Sequence, residues 1–292
     1  MAKKRKKQAG GGLKGFILLA AIIIGALYLY QNDGKIFSSE TIRTLTDKAS
    51  VTENTNAKAP DGRYSLQLEI PKTIRQRDET IITHTGYTVS YNHHYKTPNW
   101  VAWELTRQET TGEEGRTNQF LPDPSLPEPR VETSDYTHSG YDRGHMAPAA
   151  DMKWSKQAMK ESFYMSNICP QNRKLNRDDW GDLEESCRKW AKKYGTVYIA
   201  CGPIYDTSSP KRIGKHQVAV PDRFFKVVLI YNRKNPIAMG FLFENKAHHQ
   251  NLKNYMVKVD QVEEETGLDF FSKLPDDVEN RIESIVPEGI AF

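Results

Sequence analysis

The chain has 292 residues, 38% hydrophobic, 27% charged and 10% aromatic, a composition that can bury a core and that excludes a disordered or fibrous protein. Its three cysteines exclude a disulfide scaffold and a multi-cysteine zinc cluster. The formal net charge of +4 does not indicate a polyanion binder: Lys3, Lys4, Arg5, Lys6, Lys7 and Lys14 account for it, and the rest of the chain holds 35 basic against 37 acidic residues. Any polyanion site must therefore be a local patch.

In chain order, the basic residues 1–15 precede an uncharged run from Phe16 to Tyr30. As a helix that run spans about 22 Å, short of a hydrocarbon core of about 30 Å. Gly10, Gly11, Gly12 and Leu13 lengthen it, with Lys14 able to snorkel to the interface. A cleaved signal needs small residues just before the cut. Here Gly25-Ala26 runs into Leu27-Tyr28-Leu29-Tyr30, which suits cleavage poorly, and the tyrosines fit an interfacial belt. The expectation is an uncleaved transmembrane anchor over 16–30. Residues 1–15 then lie in the cytoplasm and the rest on the other side.

Residues 31–62 are polar and predict a tether; residues 63–292 are the expected globular domain. The alternation Tyr64, Leu66, Leu68, Ile70 predicts a half-buried strand. Further strands are predicted over Thr80–Ile82, Tyr87–Tyr91 and Trp100–Leu105, then a loop over Glu109–Tyr136. The stripe Leu183, Cys187, Trp190, Ala191 and Tyr194 predicts a helix over Asp178–Tyr194, stopped by Gly195. Strands follow at Val197–Cys201, Phe224–Tyr231 and Ile237–Phe243, and short helices at Val262–Thr266 and Pro275–Ile285. Strands and helices intermingle without βα alternation, which predicts an α+β fold around a largely antiparallel sheet.

The chemistry gathers in two blocks. The first is Tyr141-Asp142-Arg143-Gly144-His145-Met146-Ala147-Pro148. The second runs Phe163-Tyr164-Met165-Ser166-Asn167-Ile168-Cys169-Pro170-Gln171, then Leu175-Asn176, Trp180 and Leu183-Glu184. His145 can accept a proton from water near neutral pH, and Arg143 sets a cation beside it. If Asn176 and Glu184 are both helical, their spacing of eight brings them to nearly one face, with Arg188 a turn further. An amide oxygen, a carboxylate and a guanidinium beside a histidine suit a hydrated Mg²⁺ and a phosphate. Cutting a phosphodiester requires an activated water, a Lewis acid on the leaving oxygen, and cations for the developing charge.

These blocks resemble the DNA/RNA non-specific endonuclease family, the ββα-metal nucleases that include bacterial extracellular nucleases and mitochondrial endonuclease G. Residues 142–145 match its Asp-Arg-Gly-His signature and residues 163–184 its second block. Trp100–Thr106, Gly202-Pro203 and Val218–Val228 also look like the endonuclease G branch. The resemblance covers roughly residues 64–285. It implies a ββα-metal nuclease fold and Mg²⁺-dependent cleavage of DNA and RNA that leaves 5′-phosphate ends, with Mn²⁺ as a substitute metal. It further implies that His145 is the general base, Asn176 the direct metal ligand and Glu184 the holder of metal-bound waters. Arg143 and Arg188 would meet the phosphates, as would Arg116, whose loop aligns loosely; Asn167 would orient the site. DNA and RNA are the implied partners, with a membrane met through residues 16–30 and a homodimer left open.

Plainer readings stand beside these. Asn176 reads alone as a helix cap or turn residue, and Glu184 with Arg188 as a surface ion pair worth about 0.3–0.5 kcal/mol. Asp142 reads as a turn former or arginine partner rather than a metal ligand. His93-His94 and His248-His249 lack zinc spacing. Cys169, Cys187 and Cys201 are expected as buried free thiols. Two other functions compete: a phosphodiesterase on small nucleotides, and a non-catalytic nucleic-acid-binding surface protein. A mitochondrial inner-membrane location is weighed against a bacterial one; the Lys-rich, plainly apolar N-terminus is unlike a transit peptide, which favours a bacterial membrane with the catalytic part outside.

Overall fold

The computed structural model describes residues 67–231 and 235–292, all within one compact unit, Leu66–Phe292. The expected anchor over 16–30 and tether over 31–62 lie outside the described residues. Among the described residues no helix is long and apolar enough to cross a membrane.

The strands in chain order are β1 (Lys72–Thr73), β2 (Thr80–Thr83), β3 (Thr88–Asn92), β4 (Thr97–Thr106), β5 (Asp142–His145), β6 (Ile168–Gln171), β7 (Thr196–Ile204), β8 (Arg212–Ile213), β9 (Val218–Ala219), β10 (Arg223–Ile230), β11 (Ile237–Glu244), β12 (Met256–Val257) and β13 (Leu268–Asp269). The helices are α1 (Lys156–Glu161), α2 (Arg173–Arg177), α3 (Asp179–Tyr194), α4 (Val259–Thr266) and α5 (Asp276–Glu283). A seven-stranded sheet runs β12-β11-β10-β7-β4-β3-β2, each neighbouring pair antiparallel. Mixed α/β architecture around an antiparallel sheet is what the intermingled elements predict.

The central strands read as unbroken apolar runs because both faces of the sheet are covered. On one face Phe224, Val228, Ile199, Cys201, Val101 and Trp103 pack under α3, with Trp180, Leu183, Cys187, Trp190 and Ala191 above them. On the other, Phe225, Val227, Leu229 and Ala200 pack against Val259 and Val262 of α4 and Ile282 of α5. Each large side chain so buried contributes about 1.5–3 kcal/mol. The three cysteines are buried free thiols, and burial pushes Cys187 and Cys201 up to about 12.

Three local expectations are corrected. Residues 67–70 form a turn rather than a strand: Gln67 adopts φ 49° and its carbonyl accepts the Ile70 amide, so only Leu68 of the alternating set is buried here. The helix predicted over Asp178–Tyr194 begins at Asp179, because Asp178 (φ −98°, ψ −102°) is the break between α2 and α3. Asn176 and Glu184 therefore lie on different helices. Tyr194, expected in the buried stripe, is 41% exposed. Gly195 ends α3 with φ 107°, a backbone state that glycine enters without strain.

Candidate active site

The first block becomes β5 and the second opens as β6. They pair antiparallel, with Asp142 opposite Gln171 and His145 opposite Ile168. Gly144 is required by the close approach of β6: a Cβ there would fall 2.2 Å from Gln171 Oε1. From β6 the chain turns into α2 and α3, so the ββα unit arises from adjacent segments of sequence. Asn167 holds the turn after His145. Its Oδ1 accepts the Ala147 amide, and its Nδ2 donates to the Ala147 and Ser162 carbonyls at 2.8 Å. With every polar atom committed to backbone, Asn167 shapes the site without facing it.

A groove of about 410 Å³ runs beside β5. Arg116, Arg143, Arg173 and Arg177 line it with Asn176, Asp142, Tyr141, Asn118 and Phe120. Four guanidiniums against one carboxylate make it a local cationic patch in a chain that beyond residue 14 holds 35 basic against 37 acidic residues. Asp142 organises one bank: it accepts from Arg173 Nε at 3.3 Å, Arg177 Nε at 3.1 Å and Asn176 Nδ2 at 3.3 Å. A carboxylate can only accept, so it turns the Asn176 amide nitrogen toward itself. Oδ1 of Asn176 is left with no protein partner among the described residues. A neutral carbonyl oxygen free in a groove is a donor that fits a hard divalent cation.

His145 lies next to the groove, packed on Phe120 of its wall. It is 8% exposed, and its ring packs on Phe120 (centroids 5.3 Å apart) and edge-on to Phe163 (4.9 Å). Its Nε2 is buried with no hydrogen-bond partner. Burial, with the Arg116 and Arg143 cations adding to it, pulls its pKa down to about 3, which keeps the ring neutral. Arg143 stacks over Phe120 at 4.3 Å and Arg116 over Phe163 at 5.1 Å, so both arginines are tied to the rings that enclose the imidazole. His145 itself does not line the groove; Phe120 stands between them.

Beneath β5 lies a charged layer that the sequence blocks only half disclose. Arg188 does not enter the groove. Its guanidinium donates to Asp151 Oδ1 at 3.0 Å, and Asp151, buried, also accepts Trp103 Nε1 at 3.1 Å. The pair holds this guanidinium at Asp151, away from the groove lining. Glu184 is half-buried, outside the groove lining. Burial raises its carboxyl to about 7, with Lys226 and Arg188 opposing and Asp151 adding to the rise. Lys226, fully buried on β10, places Nζ 3.9 Å from the centre of the Trp180 ring, and Trp180 Nε1 donates to the His145 carbonyl at 3.2 Å. Sequence reasoning missed Asp151 and Lys226. The available signal for Lys226 was its period-two alternation with Phe224 and Val228 on the face under α3.

The paired histidines hold no cluster: His93 meets Thr80, His94 meets Arg212 and His249 meets Asp179.

The chain is 40% identical over 210 residues to "Nuclease EXOG, mitochondrial" of Danio rerio, covering 65% of this chain and 60% of that protein. It is 37% identical to "Nuclease 1, mitochondrial" of Schizosaccharomyces pombe, over 65% of each, so it spans less than two thirds of both relatives. Identity to "Nuclease C1" of Cunninghamella echinulata is 35% over 233 residues, 74% of this chain and 90% of that one. A solved structure of EndoG in complex with EndoGI superposes with a TM-score of 0.64 at 30% identity, covering 68% of this chain and 87% of that one. The sequence model of the DNA/RNA non-specific endonucleases matches residues 65–277, and the chain belongs to that family.

Proposed function

We propose that this chain is a metal-dependent endonuclease that hydrolyses phosphodiester bonds of DNA and RNA without reading base sequence. The observation that carries the reading is the buried, unpartnered, neutral His145 Nε2 beside a groove that presents four arginines and the free Asn176 Oδ1. Contacts from arginine to phosphate oxygens carry no base code. In this reading Arg143 and Arg116 hold the scissile phosphate, with Arg173 and Arg177 along the flanking backbone. His145 takes the proton from the attacking water at Nε2. For water to reach that atom, the half-buried Phe120 would have to move off the ring.

Asn176 Oδ1 is the atom that would hold Mg²⁺, or Mn²⁺ in its place, together with water and substrate phosphate, and the ion when bound would polarise the phosphoryl group and stabilise the leaving oxygen. A single neutral protein donor predicts weak ion binding until substrate adds its own oxygens. Glu184 accepts from waters on the Asn176 side. Residues 16–30 anchor the chain in a membrane, with the catalytic part outside a bacterial cytoplasm.

The test is digestion of supercoiled plasmid and of RNA by the full chain, with and without Mg²⁺. Cleavage of both that needs the ion is the expected result. Hydrolysis of model diesters but not of plasmid would move the assignment to a small-nucleotide phosphodiesterase. Undiminished cleavage in excess EDTA removes the role given to Asn176. Mass spectrometry of the native protein tests the anchor, and a mature N-terminus beyond Tyr30 replaces it with a cleaved signal.

A further inference from the structure

On the face of the sheet opposite the groove, Asp260 and Glu263 of α4 and Glu283 of α5 converge. One carboxylate oxygen from each lies within 4.8 Å of the other two. Oxygens that share one Ca²⁺ at about 2.4 Å can stand no further apart than about 4.8 Å, a bound that all three pairs meet. Asp260 is exposed, Glu263 half-buried and Glu283 only 4% exposed. Glu263 keeps one oxygen on the Phe270 amide at 2.7 Å. Glu283 Oε1 is buried with no hydrogen-bond partner. No ion pair neutralises any of the three among the described residues.

Ordinary placement does not account for this cluster. Asp260 in the first turn of α4 is favoured by the helix dipole, but Glu283 is the last residue of α5, where the dipole disfavours a carboxylate. Glu283 therefore combines burial, an adverse helix end, two acidic neighbours and an unsatisfied oxygen. A bound cation would satisfy that oxygen.

We propose that Asp260, Glu263 and Glu283 form a binding site for a hard divalent cation, Ca²⁺ in particular, that clamps α4 to α5. The donors are all oxygen, which excludes a soft-metal site. They come from two helices and leave an exposed side for water, which suits the adaptable coordination of Ca²⁺ better than the rigid octahedron of Mg²⁺. The site is independent of the groove and of the nuclease reading.

The experiment is thermal unfolding of the full chain in detergent, freed of metal by EDTA and titrated with CaCl₂. It is run on the parent, on Asn176→Ala, on Glu283→Gln and on Asp260→Asn. Once Ca²⁺ exceeds its Kd about a hundredfold, the parent Tm should rise by about 5–10 °C. The same rise should persist in Asn176→Ala, which separates this site from the groove. It should vanish in Glu283→Gln and shrink in Asp260→Asn, whose exposed side chain leaves the fold intact. A parent Tm unmoved by Ca²⁺, a rise lost in Asn176→Ala, or an equal rise in both acidic-site variants overturns the assignment.

Discussion

His145 stands in a dry bank beside the groove, against Phe120 and Phe163, whereas Asn176 lines the groove on a wet bank, an open lattice of Asp142, Arg173 and Arg177. The dry bank fixes a protonation state. The wet bank, whose arginines are 61–70% exposed, can exchange water, ion and phosphate at little cost. A base must be neutral before substrate arrives, and a binding surface must release product. The two materials match those two requirements.

The comparison breaks most sharply at the imidazole. Replacing His145 by alanine should lower plasmid turnover about 10²- to 10⁴-fold, and the loss of a buried ring packed on Phe120 and Phe163 should also lower the melting temperature. A variant that cuts as fast as the parent would falsify the role of base. On the wet bank, Asn176→Ala should raise the Mg²⁺ concentration for half-maximal cleavage by about tenfold or more, with a smaller fall in rate at saturating ion. An unchanged ion requirement would place the metal elsewhere.

Acid pH sharpens the contrast. In the folded chain His145 titrates near 3 rather than 6.5, so between those values the unfolded chain binds a proton that the folded chain refuses. This group imposes no penalty above pH 6.5 and a growing one as pH falls toward about 3. The parent should lose melting temperature through that window more steeply than His145→Ala. The acid limb of kcat/KM should also fall below pH 6.5; a limb at 6.5 or above means that the free enzyme already holds Phe120 open. The smallest effect belongs to Phe120→Leu. It removes the ring under Arg143, a stacking worth about 0.5–1 kcal/mol, and should raise KM for DNA by about two- to fivefold.

The sequence disclosed what periodicity and local motifs encode. Leu183, Cys187, Trp190 and Ala191 announce α3 because a helix must bury one stripe, and the unbroken runs of β7 and β10 announce strands covered on both sides. That His145 and Asn176 belong to one ββα unit was legible because β5, β6 and α2 are near in sequence. What failed depends on single backbone angles or on distant convergence. The left-handed Gln67 spoils an alternation that reads as a strand, and Asp178 divides one apparent helix into two. Asp151 captures Arg188 across 37 positions, a pairing that no spacing rule exposes. Lys226 hides within an apolar strand, and the convergence of Glu283 on α4 depends on how two C-terminal helices cross the sheet.

The absence of disulfide bonds carries a consequence for where such a protein can work. Cys169, Cys187 and Cys201 are each at most 1% exposed, with their thiols driven far from the reactive thiolate form. Neither glutathione inside a cell nor a dissolved oxidant outside it meets an accessible cysteine thiol on the folded domain.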